Sequence, residues 1–205
     1  MSKGIVIELQ KDAINSDVGI ENLLRKAFLV SKKLGLKDFE QWIRNEQEGY
    51  HGDVPPYRKL SGILRGWSPV YGWIPVIVPS TFKDTFRIVP YRDAISKISE
   101  TYKENKKTVH LKYSDEICER LNEIIDSPFD TYFASAIPNS EFYGIIDGVR
   151  NKILEWTLLL EENNIIGSDM TFTEEEKMQA ATTVEINQFI NNFYNETKDI
   201  SFDQQ

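Results

Sequence analysis

The most regular hydrophobic pattern in the chain lies between residues 139 and 163. Large apolar residues recur there with alternating gaps of four and three positions, which places them on one face of an α-helix. Asn139 or Ser140 is suited to cap the first turn of this helix. The pattern predicts a long core helix, and nothing on it is an evident catalytic group. The residues on this face are Phe142, Ile146, Val149, Ile153, Trp156 and Leu160.

Three amphipathic helices are predicted at the start of the chain. Apolar residues at helical spacing place them at about residues 3–15, 18–34 and 36–47. Gly35 follows the second helix and Gly49 the third, in keeping with the preference for glycine at the C-terminal turn of a helix.

The middle of the chain changes character at Pro55. Residues 57–66 and 73–78 are expected to pair as an antiparallel hairpin. Its second strand is expected at a sheet edge or at a bulge, because Pro75 lacks the N–H that a central strand donates. Further strands are predicted at 86–89, 109–113 and 131–137, and helices at 91–104, opened by Pro90, and 115–125, capped by Ser114.

This order of elements predicts an α+β fold. N-terminal helices come first, a small mostly antiparallel sheet lies in the middle, and the long core helix occupies about residues 139–163. We expect a globular domain over residues 1–167 and a C-terminal appendage over residues 168–205.

The appendage contains one clear helix signal and one ambiguous stretch. Thr173 and Glu176 form a capping-box pattern, which predicts a short helix to about Ala181. Residues 184–194 fit both a strand and a helix. Their apolar side chains form either an oligomer contact or a face that folds back on its own domain, and the pattern leaves both open. The candidate oligomer contacts are Val184, Ile186, Phe189, Ile190 and Phe193.

Charge is distributed unevenly around the net value of −8. Residues 51–113 have eleven basic and five acidic side chains, whereas residues 114–205 have five basic and nineteen acidic ones. Either the basic middle region folds against acidic helices of the same chain, or two surfaces of opposite sign bind separate partners.

The common motifs of metal, nucleotide and nucleophilic chemistry are missing from the sequence. The single cysteine, Cys118, excludes an internal disulfide and is expected to be a small buried side chain. His51 and His110 do not have the spacing of zinc ligands. Because the chain also lacks a phosphate-binding loop and a nucleophile elbow, we expect no metal and no cofactor.

The hydropathy of the chain favours a soluble cytoplasmic protein without membrane contact. No apolar run approaches the roughly 18–20 residues that a membrane helix requires. The N-terminus lacks the basic and then apolar pattern of a signal peptide.

Aromatic and basic residues are most concentrated in the hairpin stretch, residues 57–75. One interpretation is that its indoles cover the core while Arg58 pairs with an acidic helix. The stretch also fits a protein-interface hot spot, or a site where nucleobases stack on aromatic rings beside basic groups. The polar shoulder of the long helix, formed by Arg150 with Glu155 and Glu161, is the candidate surface for meeting the hairpin. The candidate binding residues are Arg58, Arg65, Trp67, Tyr71, Trp73 and Arg150.

Three segments form an ordered set of motifs. The first is Leu23-Leu24-Arg25-Lys26-Ala27-Phe28-Leu29-Val30 with Lys33-Leu34-Gly35-Leu36 and Phe39-Glu40-x-Trp42-Ile43. The second is the hairpin from Tyr57-Arg58 to Pro75. The third is Val149-Arg150-Asn151-Lys152-Ile153-Leu154-Glu155-Trp156-Thr157-Leu158 with Leu160-Glu161. In this order they resemble the AbiTii domain of bacterial abortive-infection proteins, over roughly residues 3–167.

The resemblance implies a role in defence against bacteriophage, in which an infected cell is disabled or killed before virus release. It brings no catalytic residues, so the matched positions are expected to be scaffold or interface residues. One reading is a non-enzymatic regulatory or interaction module that self-associates and has a protein partner within a defence system. The alternative is a toxic effector, or an enzyme that senses nucleotides or nucleic acid through residues 57–75, although nucleic acid is the less favoured partner.

Overall fold

A computed structural model describes residues 4–82, 85–127 and 130–195 of the chain. Eight α-helices and six β-strands lie within these ranges, and they confirm the predicted α+β class. The helices are α1 (Ile5–Ile14), α2 (Ile20–Leu34), α3 (Lys37–Glu48), α4 (Ile95–Lys103), α5 (Asp115–Ile124), α6 (Asn139–Glu162), α7 (Glu174–Thr182) and α8 (Val184–Asn195). The strands are β1 (Lys59–Ser61), β2 (Ile63–Ser68), β3 (Gly72–Pro75), β4 (Ile88–Pro90), β5 (Thr108–Lys112) and β6 (Phe133–Pro138).

The long helix α6 lies at the centre of the helical layer. It packs against α1, α2, α4 and α8, and it also contacts β1. Its buried face includes Val149, Ile153 and Trp156, and the Trp156 indole stacks on the ring of Phe39 from α3 with 3.8 Å between centroids. The predicted core helix is confirmed. Burying several such side chains, each contributing about 1.5–3 kcal/mol, makes α6 the main apolar contact of the fold.

The start of α6 differs from the prediction. The helix begins directly after Pro138, and no side chain accepts a hydrogen bond from its first turn. The Asn139 amide instead donates to the Tyr102 carbonyl over 3.0 Å, so this side chain ties α6 to the end of α4.

Two small antiparallel sheets lie beside the helices. The larger has the strand order β3-β2-β6-β5, and the smaller pairs β1 with β4. The predicted hairpin is confirmed as β2 and β3, and Pro75 lies on the edge strand as expected. The single strand predicted over residues 57–66 is wrong, because residues 56–58 form a 3₁₀ turn and Gly62 separates β1 from β2.

Gly62 marks a close approach between the two sheets. A β-carbon added there would lie 1.9 Å from Ser135 Oγ and 2.6 Å from Ile137 Cδ1. Both neighbouring side chains are fully buried, so they have little room to move. The glycine therefore allows the chain to pass from one sheet to the other against β6.

We expect Gly62→Ala to destabilise the protein by about 1–3 kcal/mol, the usual range for overpacking a filled core. Gly144→Ala is the matched control, because Gly144 is exposed on α6 and a β-carbon there meets nothing within 4 Å. Helix propensity predicts that the control is stabilised by roughly 0.5–1 kcal/mol. Thermal unfolding of both variants measures the two changes, and equal melting temperatures would contradict the close approach.

Two predicted helix starts need correction. The helix placed at residues 91–104 begins at Ile95, since Pro90 belongs to β4 and Ala94 occupies the N-cap position. Ser114 is the N-cap residue of α5, but its side chain makes no capping hydrogen bond. Proline and serine are common at several positions near helix starts. Their presence alone therefore did not show that Pro90 ends a strand or that the Ser114 side chain makes no capping bond.

The C-terminal segment consists of two helices. The capping box is confirmed, because the Glu176 N–H donates to Thr173 Oγ1 and the Thr173 N–H donates to the Glu176 carboxylate. The ambiguous stretch is the helix α8, which packs against α3, α6 and α7. Among the described residues, no helix is long and apolar enough to cross a membrane.

Candidate functional site

The two faces of the four-stranded sheet differ in what covers them. Leu64 and Phe133 on the inner face pack with Cys118 and Leu121 of α5 in a small hydrophobic cluster, where Cys118 is buried as predicted. Alternate residues of each strand point to the opposite side, which we call the outer face. The outer face comprises Ile63, Arg65, Trp67, Trp73, Pro75, Thr108, His110, Lys112, Tyr132, Ala134, Ala136 and Pro138.

Three aromatic residues form a row across the outer face. Trp67 pairs with Trp73 in the β2–β3 register. The backbone N–H of Trp67 donates to the backbone carbonyl of Tyr132 over 2.8 Å, which extends the β2–β6 ladder by one pair. Because directly opposed residues of antiparallel strands point to the same side, Trp73, Trp67 and Tyr132 lie next to one another. We call them the aromatic row.

Two cationic residues lie in the adjacent row. Arg65 of β2 and Lys112 of β5 both pair with Ala134 of β6, which separates them. This basic row is two residues along the strands from the aromatic row, a distance of about 7 Å. Within the described part of the chain, neither cation forms an ion pair, and the outer face has no Asp or Glu. The face is therefore locally positive on a chain of net charge −8.

The indole of Trp73 lies over the middle of the sheet. Its ring stacks on His110 of β5, with 4.9 Å between centroids and 10° between planes, although β3 and β5 are opposite edges. The small side chain of Ala134, which is fully buried, leaves room for this crossing. Burial and the nearby Arg65 charge lower the pKa of His110 below its usual 6.5, so the stacked imidazole is neutral at neutral pH.

An open groove of about 380 Å³ lies at this place on the outer face. It is lined by Trp67, Trp73, Tyr132 and Lys112. Trp67 meets Trp73 edge to face, with 5.3 Å between centroids, and still has 43% of its surface exposed, whereas Tyr132 has 63% exposed. Both indoles lie on the surface opposite the inner cluster, so the interpretation in which they cover the core is wrong. The groove offers flat aromatic surfaces beside a cation.

Arg58 lies inside the protein and not on the outer face. Its guanidinium is fully buried and donates to both carboxylate oxygens of Glu46 in α3, over 3.1 and 2.5 Å. It also donates to the Asp93 carbonyl over 2.7 Å. Tyr50 and Tyr57 each donate their hydroxyl to the same carboxylate. The predicted pairing of Arg58 with an acidic helix is confirmed.

The pKa values in this buried cluster reflect its charges. Burial alone would lower the pKa of Arg58, but the Glu46 carboxylate outweighs it and raises that pKa. Burial and then Glu46 raise the pKa of Tyr57 well above 10.0. Arg58 is therefore a cation and Tyr57 a neutral phenol across the physiological range, which suits a structural role for this cluster.

Arg150 is also occupied within the fold. Its guanidinium donates to the backbone carbonyls of Asp12, Ala13, Asn15 and Val18, which anchors the C-terminal end of α1 to α6. Cationic groups are favoured at the C-terminal end of a helix because carbonyl oxygens are exposed there.

The first residues of the hairpin stretch meet α6. The ring and β-carbon of Tyr57 lie against Gly148, and the Ser61 N–H donates to the Glu141 carboxylate over 2.8 Å. The polar shoulder proposed to receive the hairpin has other contacts, since Glu155 pairs with Lys152 and Glu161 accepts from Gln10. The basic row therefore has no acidic surface of α6 against it.

The other candidate residues lie apart from the groove. Tyr71 is at the hairpin tip with 81% of its surface exposed. In α8, Ile186, Ile190 and Phe193 are buried in the main core, and Phe189 packs partly against it. Val184 is exposed. The apolar face of α8 thus folds back on its own domain, which is one of the two alternatives that the sequence left open.

The sequence did not single out three residues of this site. His110 and Lys112 had the alternation of a strand's polar side, and that signal was sufficient to place them on one face but not beside Trp73. Tyr132 had no signal, because its position depends on the pairing of β6 with β2. Among the described residues, no group of three or more His, Cys, Asp or Glu side chains is placed to hold a metal ion.

Comparison with known proteins identifies one family. A family model described as AbiTii matches residues 4–185, which extends beyond the resemblance to include α7 and the first residues of α8. Searches of curated proteins and of solved structures find no match.

Proposed function

Because the chain belongs to the AbiTii family, a bacterial abortive-infection domain, we propose that it serves phage defence as a recognition module that binds its target on the outer face. Family membership suggests the abortive-infection role. We assign the binding surface to the outer face because the groove lies there, between the aromatic and basic rows. This is an interaction function and uses no catalytic group.

Exposed aromatic rings are the strongest support for this assignment. Trp67 and Tyr132 contribute little to the two hydrophobic clusters, to which neither belongs. Aromatic and arginine side chains dominate the energy of binding surfaces, since they bury large areas with few rotatable bonds. The strand register holds these two rings on the adjacent strands β2 and β6, so the surface is already organised before a partner arrives.

Trp67→Ala tests the proposal. We expect this variant to keep its melting temperature within a few degrees and to lose most protection against phage. Loss of a hot-spot side chain weakens binding by about 2 kcal/mol or more, roughly 30-fold. Plaque counts on cells expressing each variant at equal protein level measure protection, with a phage against which the wild type is active.

Tyr143→Ala is the matched control for this measurement. Tyr143 has 49% of its surface exposed, close to the value for Trp67, but it lies on α6. We expect the control to protect like the wild type. Full protection by a folded Trp67→Ala variant would contradict the assignment of the outer face.

A further inference from the structure

We infer that the outer face binds single-stranded nucleic acid, with nucleobases on the aromatic row and backbone phosphates at the basic row. This inference rests on the proposed function and identifies the target that the same surface recognises. Three features support it. The aromatic and basic rows are adjacent, Arg65 and Lys112 form no ion pair within the described part of the chain, and the rings of Trp67 and Tyr132 are exposed.

The two rows match the two parts of a nucleotide. Every base has a flat π-face that stacks on aromatic side chains, and each phosphate carries a negative charge that Lys or Arg neutralises. Trp67 and Tyr132 supply exposed rings, while Lys112 lines the same groove. A base in the groove would have its phosphate on the side of the basic row, about 7 Å along the strands.

The number of groups favours an oligonucleotide over a free nucleotide. Arg65 and Lys112 lie on opposite sides of Ala134, two strand spacings or about 10 Å apart. At this spacing, consecutive phosphates of a strand can each meet one of the two cations. The exposed rings of Trp67 and Tyr132 lie side by side in the β2–β6 register, so the aromatic row can stack more than one base.

Other ligand classes fit the charges less well. An aromatic cage for a cationic group would be opposed by Arg65 and Lys112, because like charges repel at short range. A protein interface core is depleted of lysine, whereas Lys112 lies in this groove. Duplex nucleic acid keeps its bases stacked inside, where the aromatic row cannot reach their faces.

The test is fluorescence anisotropy of the full chain with labelled single-stranded RNA and DNA of about 12 nucleotides. We expect Trp67→Ala to weaken binding by about 5- to 150-fold, the effect of losing one stacked base. Tyr143→Ala should bind like the wild type. A duplex of the same sequence and a nucleoside monophosphate are measured in parallel and are expected to bind more weakly.

Salt dependence gives an independent measure of the basic row. Each phosphate neutralised on a single strand contributes about −0.7 to the slope of log K against log salt, so two cations predict a slope of about −1.4. Lys112→Ala is expected to reduce the slope by about 0.7. Lys97→Ala, which removes an exposed lysine of α4, should leave the slope unchanged.

The outcomes separate this inference from the proposed function. If oligonucleotides do not bind while Trp67→Ala still loses protection in cells, the target is of another class and only the inference is overturned. Equal affinity for the monophosphate and the oligonucleotide would also overturn it. If Trp67→Ala is folded and fully protective, the proposed function fails whatever the binding assay shows.

Discussion

Arg58→Met is expected to destabilise the protein by about 3–5 kcal/mol, because it leaves the Glu46 carboxylate buried without its cation. Arg58 and Glu46 are both fully buried, and the pair joins α3 to the start of β1. Methionine keeps much of the side-chain volume, so the loss measures charge and hydrogen bonding more than packing. Urea unfolding followed by tryptophan fluorescence gives the change in unfolding free energy.

A second substitution identifies the cause of that loss. Glu46→Gln in the Arg58→Met background removes the uncompensated charge, while its amide oxygen still accepts from Tyr50 and Tyr57. We expect the double variant to recover a clear part of the lost stability. If the double variant is less stable than Arg58→Met alone, then the buried charge is not the reason for the loss.

Arg25→Met is the matched control for the same change of side chain. Arg25 is exposed on α2 and donates to the Asn22 side chain. Its replacement should change stability by no more than about 0.5 kcal/mol. The contrast between Arg58 and Arg25 tests the conclusion that Arg58 belongs to the scaffold.

Phe193→Ala is expected to cost about 3–5 kcal/mol, the range for deleting a fully buried aromatic ring. Phe193 has 1% of its surface exposed and lies between Trp42, Phe189 and the Lys152 ammonium, at 5.6, 4.8 and 4.9 Å. The residue thus attaches α8 to both α3 and α6. Urea unfolding measures the loss, and light scattering on the same samples measures the mass.

Val184→Ala separates packing from self-association. Val184 begins α8 with 58% of its surface exposed, so its truncation should leave stability almost unchanged. We expect both variants to have the mass of the wild type at concentrations where they are folded. A lower mass for Phe193→Ala without any loss of stability would instead identify α8 as an oligomer contact.

Much of the local structure follows from short-range patterns in the sequence. The three-and-four spacing from Phe142 to Leu160 predicts α6, and the capping box at Thr173 predicts α7, because both depend on neighbours within one or two helical turns. The β2–β3 hairpin is similarly local, since a short turn joins its strands. These elements could be predicted without knowledge of their surroundings.

The candidate site could be predicted only in part. Trp67, Trp73 and Arg65 were singled out by their density in the hairpin, and the structure places them on one face of the sheet. Arg58 has the same chemistry and lies in the same stretch, but it is buried. Sequence composition cannot separate the two arginines, because their burial depends on whether Glu46 or solvent meets the guanidinium.

By itself, the sequence determined the helices, the hairpin and the presence of an aromatic and basic stretch, because each depends on residues close together in the chain. Only the tertiary structure decided that β6 lies between β2 and β5. That pairing brings Tyr132 beside Trp67 and Lys112 into line with Arg65. Strand alternation specifies which residues share a face but not which strand is the neighbour, and the neighbour here is about 70 residues away along the chain.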